Sequence, residues 1–103
     1  MAFGFPAFHT EHYVARFANP DLRRAARETL AALSWSLREE TYDSIVGSTS
    51  INLLSWGEKV FITFLPGNAI SVTSKCAMPT QCIDWGKNRS NVVKFLTEFS
   101  RRA

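Results

Sequence analysis

The sequence predicts an α+β fold: a two-layer sandwich in which an antiparallel sheet of about five strands carries two helices on one face. Five short segments favour strands through period-two alternation or β-prone residues, and two longer segments repeat apolar residues at helical spacing. The order along the chain is β-α-β-β-β-β-α, and consecutive strands joined by short turns favour an antiparallel meander. Each helix has one apolar stripe, which it can bury by lying on the sheet.

The length and net charge of the chain limit the functions that it can have. The chain has 103 residues, 12 of them Lys or Arg and 9 Asp or Glu, and its net charge is +3. One domain fits this length, so residues 1–103 are expected to fold together, with residues 1–8 loosely ordered. The sequence has no run of about 18 apolar residues and no secretory signal, so we expect a cytoplasmic protein. The basic charge is compatible with an anionic partner and is equally an ordinary aid to solubility.

The first two elements are a strand and an amphipathic helix. Alternation predicts a strand over residues 11–17. Asn19 is a strong N-cap residue, Pro20 suits a first helical turn, and Asp21 suits the positive end of the helix dipole, so a helix is predicted over residues 20–33. Its apolar stripe comprises Leu22, Ala25, Ala26, Thr29, Leu30 and Leu33.

The rest of the chain predicts the meander and a second helix. Gly47 indicates either a bulge or a close approach of the backbone. Gly67 and Asn68 predict a turn with positive φ before the last strand. The final helix begins near Trp85 or Arg89 and ends at Phe99, and Asp84, Asn88 and Ser90 all qualify as its N-cap. The four strands of the meander are predicted at 34–40, 44–50, 59–65 and 69–75.

Two resemblances accompany these patterns. The element order resembles one half of the saddle of the TATA-box-binding protein, which implies a curved sheet and not DNA binding. The segment Asp84-Trp85-Gly86-Lys87-Asn88, followed by Asn91, resembles a motif in a family of small uncharacterised bacterial domains, over roughly the C-terminal half of the chain. That family has no established activity, so the resemblance implies a fold and a bacterial origin. The other matching segments are Gly57-Glu58, Ser71-Val72-Thr73-Ser74-Lys75 and Pro79-Thr80-Gln81.

The face of the sheet opposite the helices is the first candidate site. Phe61 and Leu65 give this face an apolar centre, and Leu53, Leu54 and Trp56 precede the strand that carries them. Together these residues suggest a docking surface for a protein, a lipid or a second copy of the chain. Alternatively, the three loop residues fold under the sheet and complete the core, and a register shift of one residue would remove Phe61 from this face. The face is predicted to hold Ser36, Arg38, Ser44, Val46, Ser48, Phe61, Thr63, Leu65, Ser71, Thr73 and Lys75.

Basic residues provide a second candidate function, weak binding of nucleic acid. Arg23, Arg24 and Arg27 form one face of the first helix, and Phe61 or Trp56 would be the platform on which a base stacks. A solvated helix face is the other interpretation of such a cluster. The cations that could contact phosphates are Arg23, Arg24, Arg27, Arg38, Lys59, Lys75 and Lys87.

A third candidate is a small polar site at the start of the last helix. Its residues are Asp84, Lys87, Asn88 and Asn91, at a position where anions bind readily, and it would serve a small ligand or an enzyme. In the structural alternative Asp84 is a cap, Trp85 is a packing anchor and Gly86 allows close approach.

Catalytic, metal and cofactor sites are not predicted. No nucleophile or carboxylate signature surrounds His9 and His12, so an enzyme is the less favoured class. Cys76 and Cys82 lack the paired-ligand spacing of a metal site, and we interpret them as reduced, packed thiols. A disulfide between them would close a short loop and add little stability. The leading hypothesis is a non-enzymatic interaction module, with a homodimer as a further option.

Overall fold

The structure is a computed structural model and describes residues 8–16, 21–49, 57–76 and 86–103. The element order in these ranges is β-α-β-β-β-β-α, which confirms the predicted order and the α+β class. The elements are β1 (Phe8–Val14), α1 (Leu22–Ala32), β2 (Ser36–Glu40), β3 (Ser44–Ser48), β4 (Glu58–Leu65), β5 (Ala69–Cys76) and α2 (Lys87–Phe99).

The strands form one five-stranded antiparallel sheet in the order β1-β5-β4-β3-β2. Strands β2 to β5 are the predicted meander, and β1 adds to it beside β5, so β4 is the middle strand. Among the described residues, no helix is long and apolar enough to cross a membrane.

Both helices cover the same face of the sheet. Ile45, Ile62 and Val72 lie directly opposite one another on β3, β4 and β5, and all three are fully buried. The buried core joins them to residues of both helices, among them Leu30 of α1 and Phe95 of α2. Because side chains alternate between the two faces of a strand, the odd-numbered residues of β4 lie on the opposite face.

Two predicted boundaries were wrong. The first strand begins at Phe8 and ends at Val14, whereas alternation alone predicted residues 11–17. Its extent follows its partner, because β1 pairs with β5 from Phe8 opposite Lys75 to Val14 opposite Ala69. Helix α1 is capped by Asp21, whose side chain accepts the Arg24 N–H at 3.0 Å, in the position we predicted for Asn19. Asn19 itself lies outside the described residues.

Gly47 of β3 lies close to Leu30 of α1. A Cβ at this position would lie 2.8 Å from Leu30 Cδ2 and 3.3 Å from the Ser36 carbonyl oxygen. This confirms the close-approach alternative, since the register irregularity of this hairpin lies in β2, between Leu37 and Glu39. The predicted turn is also confirmed, with φ of 78° at Gly67 and 58° at Asn68.

Replacing Gly47 with valine is expected to lower the free energy of unfolding by about 2 kcal/mol, because overpacking forces Leu30 from its place. Urea denaturation checks the value. If crowding against Leu30 is the cause, the double variant Gly47→Val/Leu30→Ala loses less than the sum of the two single losses. Additive losses would contradict this explanation.

Candidate functional site

The candidate binding surface is the face of the sheet opposite the two helices, here called the open sheet face. Ile62 points into the core, so its neighbours Phe61 and Thr63 lie on the open sheet face. Phe61 pairs with Val46 on one side and Thr73 on the other, which brings both onto this face. The strand registers, with the Arg38–Ser48 hydrogen bond, place the whole predicted set here: Ser36, Arg38, Ser44, Val46, Ser48, Phe61, Thr63, Leu65, Ser71, Thr73 and Lys75.

The centre of the open sheet face is apolar and its surroundings carry hydroxyl groups. Phe61, half-buried on the middle strand, has Val46 beside it on β3. Next to Phe61 on the other side, the hydroxyl groups of Thr73 and Thr10 form a 2.6 Å hydrogen bond between β5 and β1. The edge strand β1 adds Val14, which is 64% exposed. The surface thus combines apolar contact area with side chains able to donate and accept hydrogen bonds.

Three cations lie side by side at one end of this face, and we call Arg38, Lys59 and Lys75 the basic row. Lys59 and Lys75 are direct cross-strand partners on β4 and β5. Arg38 joins them through Ser48, the partner of Lys59, because its Nε donates to the Ser48 hydroxyl at 2.9 Å. Like charges directly opposite each other destabilise a sheet, so the pairing of two lysines has a cost.

Within the described residues, little negative charge balances the positive charge of the basic row. None of its members forms an ion pair with a described carboxylate, and Glu39, which lies on the same face opposite Val46, is not paired with it. Lys75 Nζ lies 5.4 Å from the centroid of the Phe61 ring, within cation–π range. The row is therefore a local concentration of positive charge that borders the apolar centre.

The loop residues predicted to extend this surface, Leu53, Leu54 and Trp56, lie outside the described residues. Both interpretations of them, docking surface and core, stay predictions.

The predicted phosphate-contacting arginines of α1 engage the protein itself. Arg23 Nη1 donates to Glu40 Oε2 at 2.6 Å, and Arg27 Nε donates to Glu40 Oε1 at 3.0 Å. Arg24 pairs with Glu28 at 3.1 Å. These side chains lie on the helix side of the sheet, whereas Lys75 lies on the open sheet face. The structure does not bring the four residues to one surface, which favours the solvated-face interpretation for α1.

Glu40 connects α1 to the edge strand β2. Hydrogen bonds from Arg27 and then from Arg23 hold the pKa of the Glu40 carboxyl below its ordinary value, and the same contact raises the pKa of Arg27. Arg23 also donates to the carbonyl groups of Thr41 and Tyr42, and its guanidinium lies 4.9 Å from the Phe64 ring centroid. Arg23 and Glu40 thus clamp the β2–β3 turn to the helix.

This contact predicts an acid-dependent share of stability. Because the folded pKa of Glu40 is depressed, its contribution is complete above the pKa of an unfolded glutamate, about 4.3, and is lost as pH falls through the folded pKa. We expect the stability difference between the wild type and Glu40→Gln to be constant near neutrality and to shrink in acid. Urea denaturation across pH measures it, with Glu39→Gln as the control. A difference that does not change with pH would contradict the assignment.

The polar residues predicted to form one site at the start of α2 do not all lie on the same side of the helix. Lys87 is the first residue of the helix and is exposed, whereas Asn88 and Asn91 point inward and are buried. Asp84 lies outside the described residues. The N-cap is Gly86, with φ of 85° and no side-chain cap bond, so Asn88 and Ser90 are not the cap.

Asn88 and Asn91 belong to a network of buried polar side chains, here called the buried polar network. Ser74 Oγ donates to Asn88 Oδ1 at 2.8 Å. Asn91 Nδ2 lies 2.8 Å from Glu58 Oε1 and 3.2 Å from Ser74 Oγ. The Thr49 hydroxyl accepts the Glu58 backbone N–H at 2.9 Å and lies 3.3 Å from Glu58 Oε1. The network ties the start of α2 to the ends of β3, β4 and β5.

Sequence reasoning did not find Glu58 and Ser74. The sequence did contain patterns that indicate burial. Ser74 has the same strand parity as Ile70 and Val72, which places it on their face of β5. Asn88 and Asn91 are three residues apart, which places them on one face of the helix. Every buried side-chain polar atom in the described residues has a hydrogen-bond partner. The described part of this cluster therefore behaves as a packed internal network. Two roles in the structural alternative were wrong: Gly86 is the N-cap in place of Asp84, and a Cβ at Gly86 would meet no atom of the described residues within 4 Å, so positive φ and not close approach explains this glycine.

The histidines do not meet in a catalytic arrangement. His9 lies on the helix side of β1 and contacts Glu11 at 2.9 Å, whereas His12 lies on the open sheet face opposite Ser71. The described residues contain no cluster of three or more His, Cys, Asp or Glu that could hold a metal ion. Cys82 and the side chain of Cys76 lie outside the described part of the chain. No protein-family model and no curated protein sequence matches the chain.

Proposed function

We propose that this chain is a non-enzymatic interaction module that binds a segment of another protein on its open sheet face. The observation that carries the proposal is the basic row beside the apolar centre, with Lys59 and Lys75 directly opposite each other. A cross-strand pair of lysines costs stability in the isolated domain. A bound segment with carboxylates over the row would offset that cost.

The composition of the face supports a protein as the partner. Protein interfaces combine an apolar centre with a polar rim and about one hydrogen bond per 100–200 Å². Phe61, Val46 and Leu65 would form such a centre, and the surrounding Ser and Thr hydroxyl groups would form such a rim. The expected partner segment has Asp or Glu next to aliphatic or aromatic residues.

Lipid and nucleic acid are less well supported. Binding to a membrane surface is favoured by a wide apolar or basic area, whereas the described residues of this face hold three cations together at one end. Single-stranded nucleic acid needs a basic groove that follows several phosphates, yet the arginines of α1 lie on the other side of the sheet. The bacterial origin and the cytoplasmic location expected from the sequence fit an interaction module, and both stay predictions.

The test is selection from a random peptide library on the wild-type protein. We expect acidic peptides with apolar residues, whose affinity falls at least about tenfold for Lys59→Glu/Lys75→Glu because opposed charges become like charges. The matched control is Arg24→Glu/Lys94→Glu, with the same net charge but with both changes outside the open sheet face. Selected peptides that bind both double variants equally would overturn the proposal.

One observation keeps nucleic acid as the second candidate: the Lys75 ammonium lies against the Phe61 ring, a combination that single-stranded binders use. A proton–nitrogen correlation spectrum with single-stranded and duplex oligonucleotides at low salt decides this. Shifts at Lys59, Phe61 and Lys75 that vanish as salt rises would replace the protein partner with nucleic acid. An unchanged spectrum removes the second candidate.

A further inference from the structure

The two edges of the sheet differ in how well they resist pairing with another strand. At one edge β2 has five residues, a register irregularity and three consecutive charged residues, Arg38-Glu39-Glu40, all of which discourage a new neighbour. At the other edge β1 has seven residues in unbroken register with β5. It contains no proline and no lysine. Of the two edges, β1 is the one that could accept another strand.

The hydrogen bonds of the sheet show which main-chain groups of β1 face outward. Ala15 N donates to the carbonyl oxygen of Asn68 at 2.8 Å, so by alternation residues 9, 11 and 13 direct their N–H and C=O groups toward β5. Bonds elsewhere agree: Thr49 N donates to Glu58 O, which continues the same alternation through β4 and β5.

The outward main-chain groups of β1 therefore belong to its even-numbered residues. They are Phe8, Thr10, His12 and Val14, and no other strand in the described residues lies beside them. Phe8 and Val14, at the two ends of the strand, are 51% and 64% exposed. A new strand on this edge would gain main-chain hydrogen bonds and cover apolar side chains.

The sequence of β1 fits a second copy of itself in one antiparallel register. With a two-fold axis at Glu11, two like charges would face each other. An axis at His12 would place His9 opposite Ala15 and Glu11 opposite Tyr13, so His9 and Glu11 would not face each other. With the axis at Thr10, His9 of one copy lies opposite Glu11 of the other, twice, on the helix side of the sheet. His9 and Glu11 already form a 2.9 Å contact within one chain, so their side chains are suited to each other.

We infer that two copies of this chain pair through β1, with Thr10 at the two-fold axis, to form one continuous antiparallel sheet. Thr10 faces Thr10, and Phe8 faces His12 at two equivalent positions, which makes three pairs that exchange two main-chain bonds each. A two-fold contact of this kind is closed, and the remaining edges are the protected β2 strands, so association stops at the dimer. The inference does not depend on the proposed function.

Sedimentation and light scattering of the wild type and of Thr10→Pro test the dimer. We expect the wild type to be a dimer at micromolar to millimolar concentration, and Thr10→Pro to be a monomer because proline removes the outward N–H at the axis. Thr10→Val keeps that N–H and is the matched control, which should remain a dimer. Circular dichroism checks that all three proteins fold.

A second pair of variants tests the edge if Thr10→Pro does not fold. Glu11→Lys removes the carboxylate opposite His9 of the other copy and should weaken the dimer, and His9→Glu/Glu11→Lys places a carboxylate opposite an ammonium group and should strengthen it again.

Cysteine cross-linking tests the register. Hydrogen-bonded antiparallel partners have Cα atoms about 5.5 Å apart, which suits a disulfide. We expect oxidised Thr10→Cys to run as a covalent dimer on a denaturing gel, in contrast to the wild type with the same two native cysteines and to Val14→Cys. A monomeric wild type would overturn the inference, as would a dimer that neither Thr10→Pro nor the charge variants affect. A dimer that cross-links through Val14→Cys but not Thr10→Cys would overturn the register.

Discussion

Replacing Phe99 with alanine is expected to lower the free energy of unfolding by about 4 kcal/mol, in the range observed for buried phenylalanine. Phe99 is fully buried in α2, stacks on Phe95 with ring centroids 5.6 Å apart and meets Tyr13 edge-on at 5.7 Å. The substitution leaves a cavity and also removes an aromatic contact between α2 and the edge strand β1. The loss should exceed that of a buried aliphatic truncation.

Urea denaturation of Phe99→Ala measures this loss, with Val93→Ala as the control because Val93 is on the same helix and 45% exposed. The control should change stability by less than about 1 kcal/mol. If α2 anchors β1, hydrogen exchange in Phe99→Ala rises first in residues 9, 11 and 13, the positions whose N–H groups bond β5. If Phe99→Ala lowers the free energy of unfolding no more than the control does, burial of Phe99 does not hold α2 against the rest of the core.

The meander could be predicted from the sequence because its determinants are local. Period-two alternation placed four strands within two residues of their observed ends, and glycine and asparagine tolerance of positive φ located the turn before β5. The first strand was placed three residues late because β5, more than sixty residues away along the chain, decides where β1 begins. Long-range pairing of this kind leaves no local mark in the sequence.

The candidate site also has one part that local sequence patterns determine and another that depends on contacts between distant residues. The residues of the open sheet face followed from strand parity once Ile62 was assigned to the core, so their positions could be predicted. The buried polar network could not, because Asn91 bonds Glu58 across 33 positions and Ser74 across 17. Individually, an asparagine on a helix and a serine on a strand are most often solvent-facing residues.

The buried polar network lies under the basic row and connects the fold to the proposed function. Glu58 and Ser74 each precede a lysine of that row, Lys59 and Lys75, and point to the opposite face of the same strand. The bonds of Asn91 to Glu58 and Ser74 therefore fix the ends of β4 and β5 where two like charges must be held together. Pre-organisation of a binding surface by a rigid layer beneath it lowers the entropy cost of binding.

Replacing Asn91 with leucine is expected to lower the free energy of unfolding by about 2 kcal/mol, because the buried Glu58 carboxyl loses the nearer of its two described side-chain partners. Glu58 Oε1 loses a donor at 2.8 Å and keeps the Thr49 hydroxyl at 3.3 Å, whereas Ser74 keeps its bond to Asn88. Urea denaturation measures the loss, and Ser90→Leu, exposed on the same helix, is the control.

The double variant Asn91→Leu/Glu58→Leu separates the missing hydrogen bond from altered packing. Replacing both partners with apolar groups also removes the buried carboxyl that lost its Asn91 donor, so the double variant should be more stable than Asn91→Leu alone. Its Lys75 amide signal in a proton–nitrogen spectrum should still shift from the wild type, because the connection between the two strands and α2 is lost and Lys75 is next to neither substituted residue in the sequence. If the second substitution only adds to the first loss, Asn91 acts through packing, and the network does not hold the basic row in place.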